Sequence, residues 1–150
     1  MKTNFLFVAI VVLLFGCGTK NESPNCLAVI NILELKFNII DKTSQKDLFF
    51  DQNAVYKESD LKIYKSTDTN HEKPLQIVVQ SSQGRKYFSV RLSDDLKQGS
   101  LDIVVETLAK DQLEYNASLV NNPCPEYTLS EVKFNKTNVL RKNGIYALIK

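Results

Sequence analysis

Apolar and polar residues alternate along most of the chain after residue 26, the period-two signature of half-buried strands. Leu33, Leu35, Phe37 and Ile39 share one face, and Glu34, Lys36 and Asn38 occupy the other. Residues 41–46 read as a polar turn, 48–50 resume the apolar pattern, and Val55-Tyr56 is a short extended piece at best. Leu61 and Ile63 open another strand with Lys62 and Tyr64 opposite, and the polar stretch 67–74 reads as a loop. Further strands follow at short intervals, marked by Leu75, Ile77 and Val79, then Phe88, Val90 and Leu92, with a turn over 81–84. Residues 93–100 read as one helical turn, with Ser93 as its cap and Gly99 as its stop. Two more alternating runs carry Leu101, Ile103 and Val105, then Leu113, Tyr115, Ala117 and Leu119.

The chain closes with 127–134, 139–142 and 145–149. Asn143-Gly144 between the last two runs predicts a tight hairpin, because both residues tolerate positive φ. Between Leu129 and Val132 the apolar phase slips, which predicts a bulge near Ser130-Glu131. One wet face per strand implies antiparallel sheets. About eight short strands at this spacing make the expected fold all-β, an antiparallel β-sandwich, with a small closed barrel as the alternative.

The amino-terminal residues follow a different rule. Lys2 precedes an unbroken apolar run from 5 to 15, too short for the roughly 20 residues of a membrane-spanning helix. One positive charge, a short apolar run and small residues at its end describe a secretory signal, here a signal helix over 1–16. Leu14-Phe15-Gly16-Cys17 resembles the lipobox of bacterial lipoproteins, in which an aliphatic residue, a tolerant position and a small residue precede cysteine. The resemblance implies cleavage before Cys17, lipid on its thiol and acylation of its new amino group. Each buried methylene contributes roughly 0.8 kcal/mol, so two or three chains hold where one would not. Residues 17–25, polar with Gly18 and Pro24, read as a flexible spacer, and 26–150 as the domain. Gly18 is not the aspartate that resembles an inner-membrane retention signal, so outer-membrane residence in the cell envelope is the expectation. The layout of the domain resembles the immunoglobulin-like or transthyretin-like sandwiches of many small lipoproteins of Bacteroidota.

Once Cys17 is lipidated, Cys26 and Cys124 remain, and an even pair in an exported protein implies one disulfide, with two separate thiols as the alternative. There is no Cys-x-x-Cys, so no metal site and no cofactor is expected. A formal charge of +2 with interspersed signs gives no field for capturing nucleic acid.

Candidate chemistry is sparse. His71, the sole histidine, could act as a general base oriented by Asp68 or Glu72, against the plainer reading of a solvated hairpin tip. Asp68, Asn70 and Glu72 alternate like calcium ligands but lack the glycine and terminal glutamate of the known loop. Asp94-Asp95 is an acid pair, but adjacent residues seldom aim at one point, and a turn or helix start rich in acids is the better reading. Tyr64, Tyr87 and Tyr146 fall on outward or ambiguous phases and could form a binding surface, or pair across strands. With no nucleotide-binding or serine-nucleophile motif, the expected function is a non-enzymatic, membrane-tethered binding or accessory module meeting an envelope protein or glycan. Two alternatives stand beside it. An envelope hydrolase requires two of Asp47, Asp51, Asp94 and Asp95 to converge in a cleft, and an inhibitor of a lytic enzyme requires a protruding loop.

Overall fold

The computed structural model describes residues 32–92, 97–121 and 124–150. Among these residues ten strands form two five-stranded sheets. They are β1 (Glu34–Ile40), β2 (Leu61–Lys65), β3 (Ile77–Ser82), β4 (Arg85–Arg91), β5 (Gln98–Val105), β6 (Asp111–Asn121), β7 (Pro125–Phe134), β8 (Thr137–Asn138), β9 (Arg141–Lys142) and β10 (Ile145–Ile149). The first sheet runs β3-β4-β1-β10-β9 and the second β2-β5-β6-β7-β8. The fold is therefore a sandwich of two sheets. The count of ten exceeds the roughly eight expected; β8, two residues long, is too short to show a period, while β9 is the end of the expected run 139–142.

Alternation sorts the side chains as expected. Leu35, Phe37, Ile39, Phe88, Val90 and Leu148 of the first sheet meet Ile63, Leu101, Ile103, Val105 and Leu113 of the second, all essentially without solvent contact. Phe88 is the aromatic centre, with Phe37 at 5.6 Å, Phe49 edge-on at 5.0 Å and Phe50 at 4.7 Å. Such offset and edge-on arrangements suit the charge distribution of aromatic rings. Segment 48–50 is thus a turn that drops rings into the core, not a strand. Val55-Tyr56 is likewise not a strand, and Tyr56 packs on Phe49 at 5.8 Å.

One pairing departs from the antiparallel rule. β1 and β10 run parallel, with Phe37 opposite Tyr146 and Ile40 opposite Ile149. The alternation of a strand does not record its partner's direction, so the sequence carries no sign of this.

The turns follow their residues. Asn143 and Gly144 both have positive φ (51° and 84°) and join β9 to β10 as expected. Gln83-Gly84 and Asn135-Lys136 do the same for β3–β4 and β7–β8. On β7 the pairing jumps from Glu131 to Leu129 while β6 advances one residue, so Ser130 is the extra residue of the predicted bulge.

The helical turn over 93–100 is overturned in its described part, because Gln98–Ser100 is the start of β5. Gly99 does not stop a helix. It lies opposite Tyr115, and a β-carbon there would come within 2.6 Å of the tyrosine ring. The glycine is required for space beside a buried ring. Ser93, Asp94 and Asp95 lie outside the described residues, as do the leader 1–16, the spacer 17–25, Cys17 and Cys26.

Candidate functional site

The outward face of the first sheet carries a groove of about 870 Å³. Its floor is made by outward positions of two adjacent strands, Asn38 and Ile40 on β1 and Ile145 and Ala147 on β10. One wall is the β3–β4 hairpin with Arg85 and Lys86, and the opposite corner is the β9–β10 hairpin with Lys142 and Asn143. Asp47, Phe50 and Asp51 close a third side from the loop after β1.

Asp47 organises that side. Its Oδ1 accepts the backbone N–H groups of Phe49 (2.8 Å) and Phe50 (3.0 Å), which is how an aspartate fixes a tight turn. Its Oδ2 accepts from the Asn38 amide at 2.5 Å, and the same amide donates to the Lys86 carbonyl at 2.9 Å. The groove is therefore preorganised by side chains that tie the loop, β1 and β4 together. Asp51 lines it as well, so two of the four expected carboxylates reach one cleft. Both oxygens of Asp47 already accept hydrogen bonds that hold the loop against β1. Asp94 and Asp95 lie outside the described residues.

Further along the same face, outward side chains form a connected layer. Glu34 accepts from the Ser89 hydroxyl, from Gln80 at 3.2 Å and from Lys36 at 3.1 Å. Tyr87 donates to Gln80 at 3.1 Å, and the Lys36 ammonium lies 5.9 Å from the Tyr87 ring centre. Burial pulls the Glu34 carboxyl upward, but the bonds from Ser89, Lys36 and Gln80 and the ammonium charge outweigh it and hold the group below its usual value. Sequence periodicity alone cannot show this layer, because its members come from three strands, β1, β3 and β4, brought together by sheet order.

A second polar cluster sits on the outward face of the other sheet. The loop after β2 folds back so that His71 stacks on Tyr64, with ring centres 4.6 Å apart. His71 Nε2 lies 2.9 Å from Asp102 on β5, directly opposite Tyr64 in register. An ionised carboxylate only accepts, so Nε2 carries the proton of this bond. Lys110 donates to the same oxygen at 2.8 Å, and Ser66 donates to the other at 2.7 Å. Burial pushes the Asp102 carboxyl up, yet the hydrogen bonds from Lys110, Ser66 and His71 prevail and it titrates at about 2.

This cluster corrects the reading of His71. Its orienting acid is Asp102, thirty-one residues on, and neither Asp68 nor Glu72. Asp68 instead accepts the backbone N–H of Lys73 at 2.9 Å, and Glu72 accepts from Asn70 at 3.5 Å. Ser66 gives its proton to Asp102 and not to the imidazole, so the three do not form a nucleophile–base relay. Among the described residues, no group of three or more His, Cys, Asp or Glu side chains gathers as a metal site.

The tyrosine surface is also corrected. Tyr64, Tyr87 and Tyr146 are each no more than 7% exposed. Tyr64 lies beneath His71, Tyr87 beneath the Gln80–Lys36 layer, and Tyr146 in the core. Cross-strand packing, the other reading, accounts for Tyr87, which pairs with Gln80.

Beyond Asn116 and Ser130 the β6–β7 pair continues as a ribbon, with Leu119 opposite Tyr127 and Val120 opposite Glu126. Leu119 and Val120 are exposed. No protein-family model, no curated protein and no solved structure matches this chain.

Proposed function

We propose that this protein is a lipid-tethered, non-enzymatic binding module of a bacterial cell envelope, and that it meets its partner through the groove on the first sheet. The anchor is Cys17, exposed by removal of residues 1–16 and separated from the domain by the spacer 17–25, with outer-membrane residence following from Gly18. Cys26 pairs with Cys124 in this reading; Cys124 is engaged rather than free, which favours it. In the chain-entropy view a bond closing so long a loop stabilises by about 4–5 kcal/mol. The observation that carries the binding role is the preorganised concavity of about 870 Å³, a volume in the range of small-ligand sites.

Two measurements test it. Mass spectrometry of protein extracted from its host should find a diacylglyceryl group and acyl chain on Cys17, and an unprocessed chain beginning at Met1 would end the anchor reading. A photoreactive residue in place of Gln83 or Asn143 should capture an envelope component in intact cells, while the same residue at Lys62 on the far sheet should not. Equal capture from both faces would remove the groove from its role.

The β6–β7 ribbon supports a second reading, inhibition of a lytic enzyme by an inserted hairpin. Its outer residues 118–121 and 125–128 pair with one another alone among the described residues, so they project beyond the five-stranded sheet. Inhibition of lysozyme by the purified domain, lost on Leu119→Asp, would favour this reading over the groove.

A further inference from the structure

Two hairpins at opposite corners of the groove carry its cations. Arg85 and Lys86 leave the Gln83-Gly84 turn, and Lys142 enters the Asn143-Gly144 turn. Positive φ at both turn residues makes each a short, rigid connection, so the charges are held in place by backbone. All three side chains are exposed, and none of the ion pairs among the described residues uses them. The acids of the groove do not cancel them in the same way. Asp47 is already satisfied by two backbone N–H groups and the Asn38 amide. Asp51 is left as an acceptor.

The register fixes the separation of the corners. Lys142 lies opposite Ile145, which falls level with Lys36 of β1, whereas Arg85 falls level with Ile40. Four residues along the strands and three strand spacings across them place the two corners about 20 Å apart. A compact ion cannot touch both. A chain laid diagonally across Asn38 and Ala147 can.

We propose that the groove receives an acidic glycan chain, with its carboxylates at Arg85–Lys86 and at Lys142 and its hydroxyls at Asp51 and the amides of Gln83 and Asn143. This rests on the groove being the binding face. A peptide added as a strand is disfavoured because it would lie along the outer strands β3 or β9, whereas the diagonal between the cations crosses β1 and β10 in the middle of the sheet, where backbone groups are already paired. Uncharged planar amides, an acceptor carboxylate and separated cations suit a polyhydroxylated chain with spaced negative charges.

The test uses the full mature chain in detergent with a galacturonate tetramer, its fully methyl-esterified form, a galacturonate dimer and a hexaglutamate peptide. The acidic tetramer should shift the amide resonances of both hairpins. Arg85→Glu and Lys142→Glu, both exposed positions, should each weaken it on the order of tenfold with thermal midpoints unchanged. The dimer, reaching one corner, should bind more weakly, and added salt should weaken the tetramer further. Equal affinity for the methyl ester would overturn the acidic assignment while leaving the groove as the binding face. Tighter binding of hexaglutamate would overturn the glycan. If no glycan shifts either hairpin, the inference falls, and the photocapture from Gln83 and Asn143 independently decides whether the groove reading falls with it.

Discussion

A carboxylate moved out of water favours its neutral form unless donors reach it. Asp102, 5% exposed, has three, from Lys110, Ser66 and His71, and its proton leaves at about 2. An unfolded chain would titrate the same group near 3.8. The folded value is the lower one, so the stabilisation is complete above about pH 4 and disappears as the pH falls towards 2. Because Lys110 and His71 remain open to water, we expect about 1–2 kcal/mol from this group. Urea titrations at pH 5 and pH 2.5 should show that much less acid sensitivity in Asp102→Asn than in the parent, after comparison at the higher pH. Gly99 is the opposite case, a residue whose importance lies in what it lacks. Gly99→Ala would press a methyl group into the Tyr115 ring, which is itself buried, and should destabilise by about 1–3 kcal/mol in a thermal melt. Tyr115→Ala in the same chain should erase most of the additional penalty of the alanine. Neither residue was legible for its role in the sequence. Asp102 sits between Leu101 and Ile103 as any outward polar residue would, and its partners lie 8 to 36 residues away. Gly99 looked like a helix terminator because glycine's freedom and glycine's smallness leave the same letter.

Elements were far more legible, since alternation and turn chemistry are local. The runs at 33–39, 61–63, 101–105 and 113–119 stand as strands or within them, and Asn143-Gly144 and the Ser130 bulge stand where the residues placed them. β8 and the turn at 48–50 escaped because so few residues cannot show a period. Turn chemistry also exposes a weakness. Lys136 occupies the second position of its hairpin with φ of 67°, a conformation that costs a residue with a β-carbon about 1–2 kcal/mol. Lys136→Gly should therefore raise stability by about 0.5–1 kcal/mol, once glycine's greater freedom in the unfolded chain is subtracted, and calorimetry would detect it as a shift of a few degrees. Gly144→Ala, with φ of 84°, should do the reverse by a similar amount. The groove was only half legible. The sequence marks Asp47 and Asp51 as acids able to share a cleft, and they do line one. It does not mark the cations on the two hairpins, because their proximity to one groove arises from strand order and not from any spacing along the chain.

At the scale of the whole molecule the decisive contact is between β1 and β10. β10 lies inside the first sheet, between β1 and β9, and contributes Tyr146 and Leu148 to the core. Lys150 adds backbone bonds with Ile40 and Lys42, and its ammonium reaches Asp111 of the other sheet. A chain ending at Asn143 should lose its cooperative unfolding transition altogether, whereas full-length Leu148→Ala should keep one, lowered by about 2–4 kcal/mol, as read by denaturant titration. The parallel pairing has a temporal side as well. β1, the first strand among the described residues, can pair with β4 early but meets its other neighbour only when β10 has arrived, and closing so long a loop is slow. A chain fed through a narrow pore amino end first would keep that early strand waiting, one border bare, until the final residues came through. The polypeptide would thus stay threadable for the length of its own delivery, and any holding chaperone would have most to protect in those last moments.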